Sequence, residues 1–274
     1  MVHIDFEQLG NLAHTGVRRA VLFMGLGLNA AHRKEFRDYQ LHKLPILPGQ
    51  TGLPIEFFPD NLPAERVDEF KSEFATWITG CGLRELTEHY AIMLDQIHHG
   101  ALAVYQERKK LDSIGDPAKV HQKFHRFGVP AKLKSLSESF GVKTKHAESV
   151  SSLYEARNCL THDFGNVTTK RVNHGDTLVL TWLALDMLAQ GVETGQEIPL
   201  AHLIGQPTPE ETNILMRSSE RHRVLKVGEK LKLSQQDLWE ICYFFNAHAI
   251  PSILSSFGDF LKVHGVPNTG AHSS

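Results

Sequence analysis

Between Leu83 and Val104 the chain repeats apolar residues at three- and four-residue steps: Leu83, Leu86, Tyr90, Met93, Ile97, Ala101 and Val104. That spacing places all of them on one stripe of an α-helix and on no single face of a strand. A helix with such a stripe must be covered by other elements. The helical region starts near Pro63, with Asn61 or Asp60 as cap and the proline acceptable in a first turn. It runs to about Leu111, with Phe70, Phe74, Trp77 and Ile78 as its first apolar face. Gly80-Cys81-Gly82 is expected to bend or interrupt it. Glu85, Glu88 and Asp95 lie off the stripe and read as a solvated acidic face. Upstream, Pro45, Pro48, Pro54, Pro59 and Pro63, with Gly49 and Gly52, forbid a continuous helix. That stretch reads as a surface connector anchored by Ile55, Phe57 and Phe58.

The pattern on either side is also helical. Residues 7–43 carry a face of Leu9, Leu12, Val17, Ala20, Val21, Met24 and Leu28. Two shorter helices are expected near 116–127 and 130–140, separated by Gly128-Val129-Pro130, and Gly141 ends the second. A further helix from Thr144, its expected cap, to His162 carries Ser149, Leu153, Ala156 and Leu160 on one stripe. After Gly165 the composition shifts to Val, Thr and Leu. Residues 166–172 and 177–183 read as strands around the turn Asn173-His174-Gly175-Asp176. Residues 184–203 read as continued strand or edge structure, and 206–211 as a loop leading into a short helix. Arg223–Val227 and Lys230–Leu233, around Gly228-Glu229, read as a second hairpin. Ser234 caps a last helix with Asp237 at its third position, and Leu238, Ile241, Cys242, Phe245 and Ala249 form its stripe. Pro251 is expected to kink or break it. The fold class is therefore mainly α: a helical bundle with a C-terminal α+β extension containing β-hairpins. It divides into an N-terminal helix and connector (1–62), a helical core (63–166), C-terminal hairpins and helix (167–264), and a tail (265–274) expected to be mobile.

Composition narrows the chemistry. Lys and Arg total 29 against 31 acids, so net charge identifies no polyanion partner. Three separated cysteines, Cys81, Cys159 and Cys242, make neither a CxxC metal pair nor a disulfide framework, which suits a reducing cytoplasm. No apolar run reaches membrane-spanning length, and the first residues lack the pattern of a signal peptide. Gly25-Leu26-Gly27 lacks the strand and lysine of a phosphate loop. His121 and His125 have helical metal-ligand spacing but no third ligand in view. His98 and His99 are adjacent and point apart, and Cys159 reads as a small apolar residue. No metal or cofactor is expected.

Tyr154-Glu155-Ala156-Arg157-Asn158-Cys159-Leu160-Thr161-His162-Asp163-Phe164-Gly165 ends a helix in a glycine turn. At 100° per residue, His162 lies opposite the apolar stripe, Glu155 and Asn158 beside it, and Arg157 at the edge. A guanidinium forks two hydrogen bonds to a phosphate, and an imidazole moves protons near neutral pH. As a purely structural device, Arg157 would cap the helix or pair with Glu155 or Asp163, and His162 would sit near the negative helix end. Arg157, with Asn158 next and His162 five positions on, resembles the R-x(4–6)-H motif of the HEPN superfamily, over about residues 64–166. The resemblance implies a HEPN-like bundle and metal-independent RNA cleavage. In it Arg157 stabilises phosphate charge, Asn158 orients and His162 transfers protons. It also implies a homodimer with facing motif helices, and roles as toxins or phage-defence effectors, with an antitoxin or regulatory protein as partner. Non-catalytic relatives that bind nucleotides or proteins are the other expectation. Lys119, Lys123, Arg126, Lys132, Lys134, Lys143 and Lys145 accumulate just ahead of the motif helix against Glu138 alone, and are candidates for RNA contact. Residues 172–216 contain acids and no Lys or Arg, a poor nucleic-acid surface.

Overall fold

The computed structural model describes residues 4–32, 63–108, 115–206 and 210–266. The end of the first expected helix, the Pro/Gly-rich connector with its anchors, and the tail from 267 onwards lie outside the described residues. Seven α-helices are present among those described: α1 (Phe6–His32), α2 (Ala64–Glu107), α3 (Pro117–His125), α4 (Val129–Phe140), α5 (Ala147–His162), α6 (Gln235–Phe244) and α7 (Ile250–Val263). Three strands, β1 (Thr177–Gly191), β2 (Glu197–Pro199) and β3 (Thr212–Lys226), form an antiparallel sheet in the order β2-β1-β3. The chain is thus mainly α with a C-terminal α/β part.

The central helix is not interrupted at its glycines. α2 runs unbroken through Gly80-Cys81-Gly82. These glycines serve close packing. A Cβ at Gly82 would fall 2.0 Å from Met24 Sδ, and one at Gly27 would fall 2.7 Å from Ile78 Cδ1. Gly16 faces His89 and Glu85, so α1 and α2 lie antiparallel with their backbones close. Gly80 admits Leu160 of α5 in the same way. Gly16→Ala would place its methyl 2.5 Å from His89 Cβ and 3.0 Å from the Glu85 carbonyl. Those atoms are anchored to the α2 backbone and cannot swing away. Although alanine favours helices by about 1 kcal/mol, overpacking of about 1–3 kcal/mol is expected to win. Urea titration should show a lower midpoint at unchanged slope.

The stripe residues Leu83, Leu86, Tyr90, Met93, Ile97, Ala101 and Val104 are all buried, as their spacing requires. The acidic face does not stay in solvent. Glu85 pairs with Arg19, Glu88 with Arg84 and Arg157, and Asp95 is buried against Lys132 and His125. The cause is tertiary: α1, α3, α4 and α5 bring cations over a face that helical phase alone leaves open.

α3 starts from an Asp116 cap with Pro117 in its first turn, and Gly141 closes α4 in the left-handed region at φ 69°. Thr144 does not cap α5, which begins at Ala147. Its hydroxyl accepts from the His146 N–H and donates to Ser252. The C-terminal strands also differ from expectation. Residues 166–172 form no strand, and only Asn166 bridges to Lys230. β1 instead continues to Gly191 and pairs along its whole length with β3, from Thr177↔Lys226 to Gly191↔Thr212. The segment after Glu211 is therefore strand, not helix, and Arg223–Lys226 pairs with Thr177–Leu180 rather than with 230–233. Local turn residues pointed to short hairpins, but the buried row Leu178, Leu180, Trp182 and Ala184 selects the longer pairing. Ser234 and Asp237 make a full capping box on α6. A π-helical turn over Phe245–Ala249 leads into α7, with Pro251 in its first turn. Residues from α1, α2, α4, α5, β1, α6 and α7 share one hydrophobic core.

Candidate functional site

α5 carries the motif between α2 and β1. Arg157 is mostly buried, and its guanidinium meets three neighbours. Nη1 donates to Asn158 Oδ1 at 2.9 Å and lies 3.5 Å from His162 Nε2, while Nη2 donates to Glu88 Oε1 at 3.4 Å. Its Nε is buried without a hydrogen-bond partner. The guanidinium carbon stands 5.9 Å from the centre of the Tyr154 ring. Glu88 Oε1 also accepts from Arg84 Nε at 2.6 Å. Two guanidiniums therefore share one carboxylate, and the cluster retains net positive charge toward an incoming anion.

Helical phase predicted the direction of His162 correctly; it is exposed. Asn158 departs from expectation. It is buried, because its carbonyl turns to Arg157 rather than to solvent. Glu155 does not join His162 either. Arg171 takes both Glu155 at 3.7 Å and Asp163 at 2.5 Å, on the flank of α5 away from Arg157. That pairing removes two acids from the motif and leaves Glu88 as the carboxylate partner recorded for Arg157. Arg84 and Glu88 escaped the motif reading. Their i,i+4 spacing signals a helical ion pair, but nothing local shows that α5 lies across it.

Beyond His162 the chain turns through Phe164, whose φ of 52° puts an aromatic residue in the left-handed region. Its side chain is 80% exposed. Such a conformation costs about 1–3 kcal/mol in a non-glycine residue, and Phe164 gains no burial in return.

The candidate cations divide. Lys119, Lys123, Arg126, Lys134, Lys143 and Lys145 are exposed, with Lys119 near Asp116 and Lys134 near Glu138. Lys132 is not available to RNA: it is 2% exposed and closed against Asp95, with its ammonium 5.4 Å from the Phe124 ring centre. Lys143 and Lys145 precede α5, whereas His162 ends it. Seventeen residues of helical rise separate Lys145 from His162 by about 25 Å. Gly128, in the α3–α4 turn two residues after Arg126, lies against the Tyr154 hydroxyl of α5.

His98 and His121 meet through their Nδ1 atoms at 3.0 Å, and the His98 ring stacks on Phe124 at 3.8 Å. Burial first, and then neighbouring His121, His99 and Lys132, push the His98 pKa down to about 4. The unfolded chain therefore binds a proton at this site below about 6.5 that the folded chain refuses until about 4. Stability is expected to fall as pH drops from 6.5 to 4. His98→Phe should flatten that dependence in thermal melts across the same range. Among the described residues no group of three or more His, Cys, Asp or Glu is arranged to hold a metal ion, and no helix is long and apolar enough to cross a membrane.

The arrangement can bind an anion and exchange a proton beside it. No family model, no curated protein and no solved structure matches this chain.

Proposed function

We propose that the chain is a metal-independent endoribonuclease of HEPN type. The observation that carries this reading is the convergence of the Arg157 guanidinium and the exposed His162 imidazole, 3.5 Å apart. A phosphodiester drawn to Arg157 Nη1, the guanidinium nitrogen nearest His162, would present its ribose to the imidazole. His162 takes the proton of the 2′-hydroxyl; the 2′-oxygen attacks phosphorus and the bond to the 5′-oxygen breaks. The products are a cyclic phosphate and a 5′-hydroxyl end, the latter formed when the leaving oxygen gains a proton. Arg157 offsets charge building on the phosphate, so the step requires no metal. Asn158 holds the guanidinium in place rather than touching substrate. Phe164, exposed two residues beyond His162, offers a surface on which an unpaired base can stack. A homodimer with facing motif helices, and an antitoxin or other regulatory partner, belong to the same proposal.

A second reading is favoured by the Glu88–Arg157 ion pair and the burial of Asn158. Both are what a motif retained for structure would show, and they fit a non-catalytic HEPN-like module binding nucleotides or a protein. Cleavage of tRNA, mRNA and single-stranded DNA in EDTA separates the two. Wild type should cut RNA and spare DNA, which lacks the 2′-hydroxyl. His162→Ala should lose the activity with its circular dichroism unchanged. Inert RNA with both proteins supports the module. Equal cleavage by both sinks His162 as the catalytic group.

A further inference from the structure

The two edges of the sheet are treated differently. Along β1 the outward-facing backbone is partnered near both ends. The side-chain amide of Asn173 donates to the Val179 carbonyl and accepts from its N–H, both at 2.8 Å. The Thr181 N–H donates to Ser152 Oγ at 3.1 Å. Further along, β2 pairs with Leu188, Ala189 and Gln190. Val179 and Thr181 thus turn their backbone groups away from β3, and the antiparallel ladder alternates from there. Their partners Val224 and His222, and every second residue from them, must turn theirs away from β1. These are Ile214, Met216, Ser218, Glu220, His222 and Val224. Lys226 fits the same phase, since its N–H is taken by Glu229. Among the described residues the outward groups of the other six meet no hydrogen-bond partner. β3 contains no proline, and exposed aliphatic residues stand near both its ends: Ile214 and Val224, each 62% exposed, with Met216 at 70%. A long open edge of this kind is a template for another strand.

We infer that β3 pairs with β3 of a second copy of this chain, antiparallel about a two-fold axis normal to the sheet that passes between the two copies of Ser219, giving one continuous sheet from the two copies. The occupant follows from self-complementarity, which an isologous contact requires. In this register the outward residues meet as Ile214 with Val224, Met216 with His222, and Ser218 with Glu220, each pair twice. Apolar ends meet apolar ends and no like charges oppose one another among them. A register centred on Glu220 would set two carboxylates face to face. One centred on Ser218 would set Met216 against Glu220 and Ile214 against His222. On the other face Arg217 would oppose Arg221, but each already has an acid: Glu197 for Arg217, and Asp186 with Glu240 for Arg221. The contact involves neither Arg157 nor His162, so association and RNA cleavage are scored separately.

Sedimentation velocity of the full chain over a wide concentration range tests this. Wild type should sediment at twice the mass of the variants that break β3 pairing: as a dimer against their monomer, or as a tetramer against their dimer where the facing-motif contact of the proposed function also forms. Ile214→Lys/Val224→Lys places lysines opposite each other at both ends and should weaken association at least tenfold. Ile214→Glu/Val224→Lys, which pairs opposite charges only in this register, should restore it. Ser218→Pro reads the same contact without charge, because it deletes one outward N–H and leaves the ladder to β1 in place; it should also halve the mass while circular dichroism stays unchanged. A monomeric wild type, or a double-lysine variant that associates like wild type, overturns the inference. So does failure of the charge-paired variant to recover association.

Discussion

Lys132→Met is expected to lower the unfolding free energy by about 3–5 kcal/mol, the cost of stranding one member of a buried ion pair. Lys132 and Asp95 are both almost fully buried, and they fasten α4 to α2. Methionine fills nearly the same volume, so little of the loss comes from a cavity. What remains is a carboxylate inside the protein with only His125, 3.0 Å away, to answer it. Asp95→Leu/Lys132→Met, which removes both charges, should recover most of the stability, because apolar pairs of similar volume replace buried ion pairs at little cost. Urea denaturation of the two single variants and the double variant gives the coupling directly. A loss below about 1 kcal/mol for Lys132→Met, as exposed pairs show, would mean that water reaches this pair.

Arg157→Ala is expected to reduce RNA cleavage by about 10²–10³-fold, the usual cost of removing one group that stabilises transition-state charge. The loss should fall on kcat more than on KM, since charge on the phosphate peaks in the transition state. Arg157→Lys should recover only part of it. An ammonium is a point charge, and it cannot span Asn158, Glu88 and a phosphate as the guanidinium fork does. Glu88→Gln supplies the opposite control: freeing Arg157 from its carboxylate should leave cleavage unchanged or raise it. Single-turnover assays in EDTA measure all three. An Arg157→Ala enzyme that cuts RNA at the wild-type rate would end the proposal for this site.

Periodic elements were readable in the sequence. The α2 stripe, the glycine end of α4 and the Ser234 capping box each rest on contacts within a few residues, so local spacing is enough. The strands were read only in part, because Asn173-His174-Gly175-Asp176 and Gly228-Glu229 look like hairpin turns. The turn before Thr177 instead folds back on the start of β1, where Asn173 closes the edge at Val179. The strand partner lies beyond a connection that the sequence marks only by its prolines and glycines. For the site, Arg157 and His162 stand where the helix phase puts them relative to each other. Asn158, Glu155 and Lys132 do not, because each is claimed by a residue remote in sequence or by the packing around it.

The amino-acid order alone determined the helical stripes, the Gly141 and Ser234 caps and the Arg157–His162 spacing, since these depend on contacts and rotation within a few residues. The tertiary structure decided which charges meet. It set Glu88 between Arg84 and Arg157, gave Glu155 and Asp163 to Arg171, buried Lys132 on Asp95, and left the outer edge of β3 unpaired among the described residues. Those outcomes depend on how α2, α4, α5 and the sheet approach one another. That approach is set by apolar burial and by glycines such as Gly16, Gly80 and Gly82 that admit a neighbouring helix, and the charged residues then pair with whatever the packing brings within reach.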